Sequence, residues 1–99
     1  MIQTLKASTR EDFEQMTHDN DLSISKMVVN RIKETIESEE SIVHIFDILI
    51  EDEEQILEIK LDKSRFQEAL EKNLLIFEKH EYYEGCIQIK DLINKFYNE

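Results

Sequence analysis

The fold is decided by residues 64–97, whose sequence is SRFQEALEKNLLIFEKHEYYEGCIQIKDLINKFY. Ser64 and Gln67 have the spacing of a capping box, in which the hydroxyl accepts from the Gln67 amide and the Gln67 side chain reaches back. Downstream, apolar residues recur with the period of one helical face, at Phe66, Leu70, Leu74 and Phe77. The pattern therefore predicts a helix that begins near Ser64.

A second helix is predicted after the charged break at residues 78–81. Its apolar stripe has the alternating four-and-three spacing of a packed helix seam and consists of Tyr82, Cys86, Ile89, Ile93 and Phe96. Helices that are joined by a short polar connection pack as antiparallel neighbours. We therefore expect residues 64–97 to form an antiparallel helical hairpin.

Two further helices are predicted upstream. Residues 8–11, Ser-Thr-Arg-Glu, form another capping box before a short helix that ends near Asn20. Asp21 or Ser23 suits the N-cap of the next helix, whose apolar residues keep helical spacing to about Glu39. Residues 1–8 carry little pattern, so we expect them to be disordered or to form an edge segment.

Residues 41–62 are interpreted as a β-hairpin. The run at 55–61 alternates apolar and charged side chains, as a half-buried strand does. The polar residues 51–54 have a common hairpin-loop length. A helix remains an alternative, because four apolar residues would share one helical face: Ile42, Ile45, Phe46 and Leu49. The predicted fold class is α+β, in the order helix–helix–β-hairpin–helix–helix, with an all-α fold as the alternative.

The length of 99 residues predicts a single small domain, which buries roughly two-thirds of its unfolded surface. No apolar run approaches the roughly 18 residues that span a membrane, and Lys6 and Arg10 interrupt the start too early for a signal peptide. Cys86 is the chain's one cysteine and cannot form an internal disulfide. We therefore expect a cytoplasmic protein without membrane contact.

The net charge of −11 is concentrated in the middle of the chain. Residues 34–62 contain eleven acidic residues and one basic residue, Lys60. Direct binding to nucleic acid is disfavoured, because phosphate contacts require clustered Lys and Arg. This acidic stretch is interpreted as a solvated face or as a docking surface for a basic partner. The predicted acidic surface consists of Glu51, Asp52, Glu53, Glu54 and Glu58.

No pattern of catalytic or metal-binding residues is found. His18, His44 and His80 lie far apart and lack the spacing of a helical zinc site. Gly85 is the only glycine, which excludes glycine-rich phosphate loops and nucleophile elbows. The residues therefore predict no enzymatic activity, no metal and no cofactor.

The stretch at residues 82–93, YYEGCIQIKDLI, resembles the UVR motif. That motif is a helical hairpin found in the helicase and nuclease subunits of nucleotide-excision repair and in small regulators of bacterial protein quality control. Its aromatic–Glu opening corresponds to Tyr83 and Glu84, and Lys90-Asp91 replaces its Arg-Asp pair. The resemblance implies protein–protein association through the exposed side of the hairpin, and it does not imply DNA repair.

Five apolar residues fall outside the two main stripes of the hairpin and are the predicted partner-binding residues: Leu75, Ile76, Tyr83, Leu92 and Tyr97. If all were buried, both helices would be apolar nearly all round, so some are expected to form an exposed patch. The hypothesis is a small adaptor or regulator whose partner is another protein or a second copy of the chain. The alternative is an acidic, phage-encoded inhibitor that mimics nucleic acid on an enzyme, in keeping with a composition typical of AT-rich bacterial or phage genomes.

Overall fold

The computed structural model describes residues 2–97, and residues 1, 98 and 99 lie outside that range. The described chain forms the strands and helices β1 (Thr4–Ala7), α1 (Arg10–His18), α2 (Leu22–Thr35), β2 (Ile42–Ile50), β3 (Gln55–Asp62), α3 (Phe66–Lys79) and α4 (Tyr83–Phe96). The predicted α+β class is confirmed, and so is the β-hairpin within residues 41–62, which means that the all-α alternative is wrong. No helix in the described range is long and apolar enough to cross a membrane.

The sheet has the order β1–β2–β3, with β1 parallel and β3 antiparallel to the central strand β2. The expectation that residues 1–8 are disordered is wrong for residues 4–7, and the alternative expectation of an edge segment describes them correctly. β1 pairs from Thr4 opposite Asp47 to Ala7 opposite Ile50. This short segment forms a strand because its backbone pairs with residues about forty positions away. Local sequence patterning does not reveal such a pairing.

Two predicted helix starts shift in the structure. Thr9, not Ser8, caps α1, and its hydroxyl accepts from the Asp12 amide at 3.1 Å. The capping box predicted at Ser64 does not form. Instead the Asp62 carboxylate accepts from the Ser64 amide at 2.9 Å and starts a 3-10 turn at Lys63–Arg65, so that α3 begins at Phe66. An Asp side chain that bonds the backbone two residues on is a common turn-forming contact.

Inward-facing side chains of the sheet build the core together with the helices. On β2 the fully buried residues are Val43, Ile48 and Ile50, and α2 packs against this strand. On β3 the inward residues Leu57, Ile59 and Leu61 are only half-buried. The inner face of the edge strand β3 is therefore less completely covered than that of the central strand.

The predicted hairpin within residues 64–97 is confirmed, since α3 and α4 pack against each other as two separate helices. Between them Glu81 adopts a left-handed φ of 57°, and the Tyr82 amide donates to the Phe77 carbonyl at 2.9 Å. The rings of Tyr82 and Phe77 meet edge to face, with centroids 5.0 Å apart. Gly85 is buried beneath these rings, and a Cβ at Gly85 would lie 2.5 Å from ring carbons of both.

Substitution of Gly85→Ala should destabilise the protein by about 1–3 kcal/mol, because the added methyl group displaces the Phe77 and Tyr82 rings. Helix propensity alone predicts the opposite sign, since Ala is favoured over Gly by about 1 kcal/mol. Urea denaturation measures the difference, and Lys90→Ala on the exposed side of α4 is the matched control. A Gly85→Ala variant more stable than the wild type would contradict the close contact.

Substitution of Asp21→Ala should remove the N-cap of α2 at a cost of about 1 kcal/mol at neutral pH. The Asp21 carboxylate accepts from the Ser23 hydroxyl and from the amides of Ser23 and Ile24, and these bonds lower its pKa, with the Ser23 hydroxyl contributing most. A lowered pKa stabilises the fold above the ordinary Asp value of about 3.9, and this contribution disappears as pH falls through the folded-state value.

The difference in unfolding free energy between the wild type and Asp21→Ala should therefore shrink in acid, as urea titrations at neutral and acidic pH would measure. Asp21→Asn is the control, because it keeps a capping oxygen without the charge. If the difference in unfolding free energy did not change with pH, the carboxylate charge would have no role in the cap.

Candidate interaction surface

Three large apolar side chains are exposed on the C-terminal hairpin. The exposed fractions are 68% for Leu75 on α3, 63% for Tyr83 and 61% for Ile87 on α4. Tyr83 and Ile87 are four residues apart, so they lie on the same face of α4. Leu75 lies on the side of α3 opposite its buried stripe, which includes Phe77. We refer to Leu75, Tyr83 and Ile87 as the outer hairpin residues.

The other three predicted partner-binding residues are less exposed than the outer hairpin residues. Leu92 and Tyr97 are half-buried and pack against the core cluster. Ile76 is also half-buried and lines a cleft between the helices and the sheet. Ile87 was missed by the sequence reasoning, although its spacing of four residues from Tyr83 was a usable signal.

The predicted acidic surface residues Glu51, Asp52, Glu53, Glu54 and Glu58 are all exposed. The turn between β2 and β3 contains no glycine, and Glu54 supplies the left-handed backbone with a φ of 51°. Arg10 at the start of α1 binds this turn, with Nε 2.8 Å from Glu53 Oε2. The hydrogen bond and the charge of Glu53 raise the pKa of Arg10 above its ordinary value.

The acidic residues of the stretch 34–62 form separate groups in space. One group lies in the connection that follows α2, at residues 37–40, and another lies in the turn at residues 51–54. The nine-residue strand β2 separates these two groups. At about 3.3 Å per residue, the strand places them roughly 26 Å apart. The two groups are therefore distant from each other, and Asp47 and Glu58 lie on the sheet between them.

His44, Asp47 and Glu58 form a polar cluster on the sheet face away from the core. Residues three apart in a regular strand point to opposite faces, but a bulge between His44 and Phe46 brings His44 and Asp47 together. The His44 Nε2 lies 2.5 Å from Asp47 Oδ1, and Nδ1 lies 3.9 Å from Glu58 Oε1. Sequence reasoning missed this cluster, because strand spacing without a bulge separates its members.

This cluster is a network of polar side-chain contacts. The three side chains offer donor atoms within 4.8 Å of one another, and they are of the types that bind zinc. Lys60 Nζ also lies 3.8 Å from Glu58 Oε2, so a cation is already beside this carboxylate. Among the described residues no Ser, Thr or Cys side chain hydrogen-bonds to His44, so no nucleophile–base pair is formed. Cys86 is buried in the hairpin.

Comparison of the chain with protein-family models, curated proteins and solved structures gives no match in any of the three.

The phenol of Tyr97 should titrate above the ordinary tyrosine pKa of about 10, because burial disfavours the phenolate. Ultraviolet difference titration of the wild type and Tyr97→Phe isolates its absorbance change. Since the folded state retains the proton, Tyr97 stabilises the fold fully below the unfolded pKa, and this contribution is lost as pH rises through the folded pKa. An ordinary pKa would show that Tyr97 faces water and belongs with the outer hairpin residues.

Proposed function

We propose that this protein is a small, non-catalytic cytoplasmic adaptor or regulator that binds another protein through the C-terminal hairpin. The observation that carries the proposal is the exposure of Leu75, Tyr83 and Ile87, each more than 60% accessible on two packed helices. The UVR resemblance of residues 82–93 supports the same mode of association.

The hairpin is a better candidate than the sheet, because each exposed apolar side chain of the sheet has a charged neighbour, although Ile56 also pairs with the half-buried Leu49. The large ones are Ile42 and Ile56, with exposed fractions of 57% and 64%. Ile42 pairs with the exposed Asp62, and Ile56 is two residues from the exposed Glu58. Single apolar residues in polar surroundings are common on protein surfaces and need no partner.

The apolar area of the outer hairpin residues limits the kind of interface that they can form. Full burial of a large apolar side chain is worth about 1.5–3 kcal/mol relative to full exposure. A stable interface buries about 1,600 Å² in total, which is far more than three side chains supply. In this proposal Tyr83 and Ile87, which share one face of α4, and Leu75 on α3 serve as anchors within a larger interface whose rim is polar, and tyrosine is enriched at such positions.

The acidic-inhibitor hypothesis receives less support. The acidic groups are separated by β2, and Arg10 neutralises part of the turn. Salt dependence distinguishes the two hypotheses, because interactions between exposed charges are screened over about 10 Å at 0.1 M salt, whereas apolar burial is not weakened in this way.

The test is affinity capture with the tagged full chain, using a Leu75→Ser/Tyr83→Ser/Ile87→Ser triple variant. Partner proteins identified by mass spectrometry should bind the wild type at low and high salt and should be lost with the triple variant. Serine at these exposed sites should leave the urea midpoint nearly unchanged. Sedimentation velocity of the same variant tests the case in which the partner is a second copy.

The matched control is Ile42→Ser/Ile56→Ser, which removes equally exposed apolar side chains from the sheet. It should capture the same proteins as the wild type. Equal capture by the triple variant would contradict binding through the hairpin, and loss of all captured proteins at high salt would favour the acidic surface instead.

A further inference from the structure

A cleft of about 270 Å³ lies between the helices and the inner face of the sheet. Its walls are mainly apolar and include Phe13 of α1, Val28 of α2, Ile59 of β3 and Ile76 of α3. It forms where the inward residues of β3 are only half-covered. The outer hairpin residues do not line it, so it is distinct from the proposed interaction surface.

Two buried polar side chains, Ser25 and Asn73, also line the cleft. Their exposed fractions are 3% and 7%. Within residues 2–97 the Ser25 hydroxyl makes no hydrogen bond. Asn73 Nδ2 donates to the Ala69 carbonyl at 2.7 Å, while in the same range its Oδ1 accepts from no group. Buried polar side chains usually have partners, so these two retain unused hydrogen-bonding capacity.

The unused polar atoms are not fully enclosed by the protein. No side-chain nitrogen or oxygen in the described part of the chain is fully enclosed without a partner. The Ser25 Oγ and Asn73 Oδ1 must therefore retain some open surface, and both residues line this cleft. A polar group inserted here would obtain hydrogen bonds that the folded chain alone leaves unmade.

The charges around the cleft favour an anion. Lys72 lines it and, among the described residues, has no ion-pair partner, although the chain as a whole has a net charge of −11. Lys60 is also a lining residue and lies near Glu58. The acidic lining residue Asp21 is already engaged by the amides at the start of α2. Lys72 is therefore the lining charge left for a ligand.

We propose that this cleft binds a small amphipathic carboxylate. Its apolar part packs against Phe13, Val28 and Ile76. Its carboxylate accepts from the Ser25 hydroxyl and from the second Nδ2 hydrogen of Asn73, whose first hydrogen is donated to the Ala69 carbonyl, and Lys72 supplies the opposite charge. A cavity of about 150 Å³ holds one benzene, so this cleft suits a ligand of about ten non-hydrogen atoms. Octanoate has that size and serves as the probe.

Binding is measured by titrating octanoate into the isotope-labelled full chain and following backbone amide shifts. Octan-1-ol is the comparison ligand, because it has the same tail without the charge. Octanoate should produce saturable shifts at residues that line the cleft and should bind more tightly than octan-1-ol. Ser25→Ala should weaken octanoate about tenfold, as expected for loss of a hydrogen bond to a charged group.

Lys72→Gln should weaken octanoate roughly two- to fivefold and leave octan-1-ol unchanged, since an exposed charge contributes modestly. This surface variant keeps the test decisive even if Ser25→Ala perturbs α2. Lys90→Gln, an exposed lysine on α4, is the matched control and should bind octanoate as the wild type does. Three results would each overturn the proposal. They are the absence of saturable shifts at the cleft, equal affinity for octanoate and octan-1-ol, and wild-type affinity of the Lys72→Gln variant for octanoate.

Discussion

The whole structure depends on the pairing of β2 with both of its neighbours. This strand connects β1, which is far away in sequence, with β3, which follows through a short turn. Val43, Ile48 and Ile50 on its inner side are fully buried, and α2 packs over them. A two-stranded hairpin has little stability alone, so the third strand and the covering helices make the sheet stable.

The arrangement of the helices explains where apolar surface remains uncovered. α3 packs against both α2 and α4, and α4 also contacts α2. The close approach of α3 and α4 at Gly85 leaves Tyr83 and Ile87 directed outward. At the other side of α3, coverage of β3 is incomplete, and the cleft opens there. Both proposed binding features are therefore consequences of how one helical hairpin covers a small sheet.

Some polar side chains of the molecule have hydrogen-bond or ion-pair partners, and others do not. His44, Asp47, Glu58 and Lys60 contact one another on the outer face of the sheet. Asp21 and Asp62 are occupied by backbone amides at turns and helix starts, and these bonds lower the pKa of both carboxyls. By contrast, the Ser25 hydroxyl in the cleft has no hydrogen-bond partner among the described residues. The cleft therefore contains a polar group that can still bind a ligand.

Residue patterning by itself determined the amphipathic helices and the division between α3 and α4, because a period of 3.6 is a local property of the chain. It favoured the β-hairpin over residues 41–62 but left a helix open there, and only the structure excluded that alternative. Patterning also identified Leu75 and Tyr83 as surplus apolar residues. Only the tertiary structure decided three features: the pairing of β1 with β2, the cluster that the bulge forms at His44, and the partial burial of Leu92 and Tyr97. The cleft with Ser25 and Asn73 is likewise a tertiary feature, since its walls come from five separate elements. These features require contacts between residues distant in sequence, and no local period encodes such contacts.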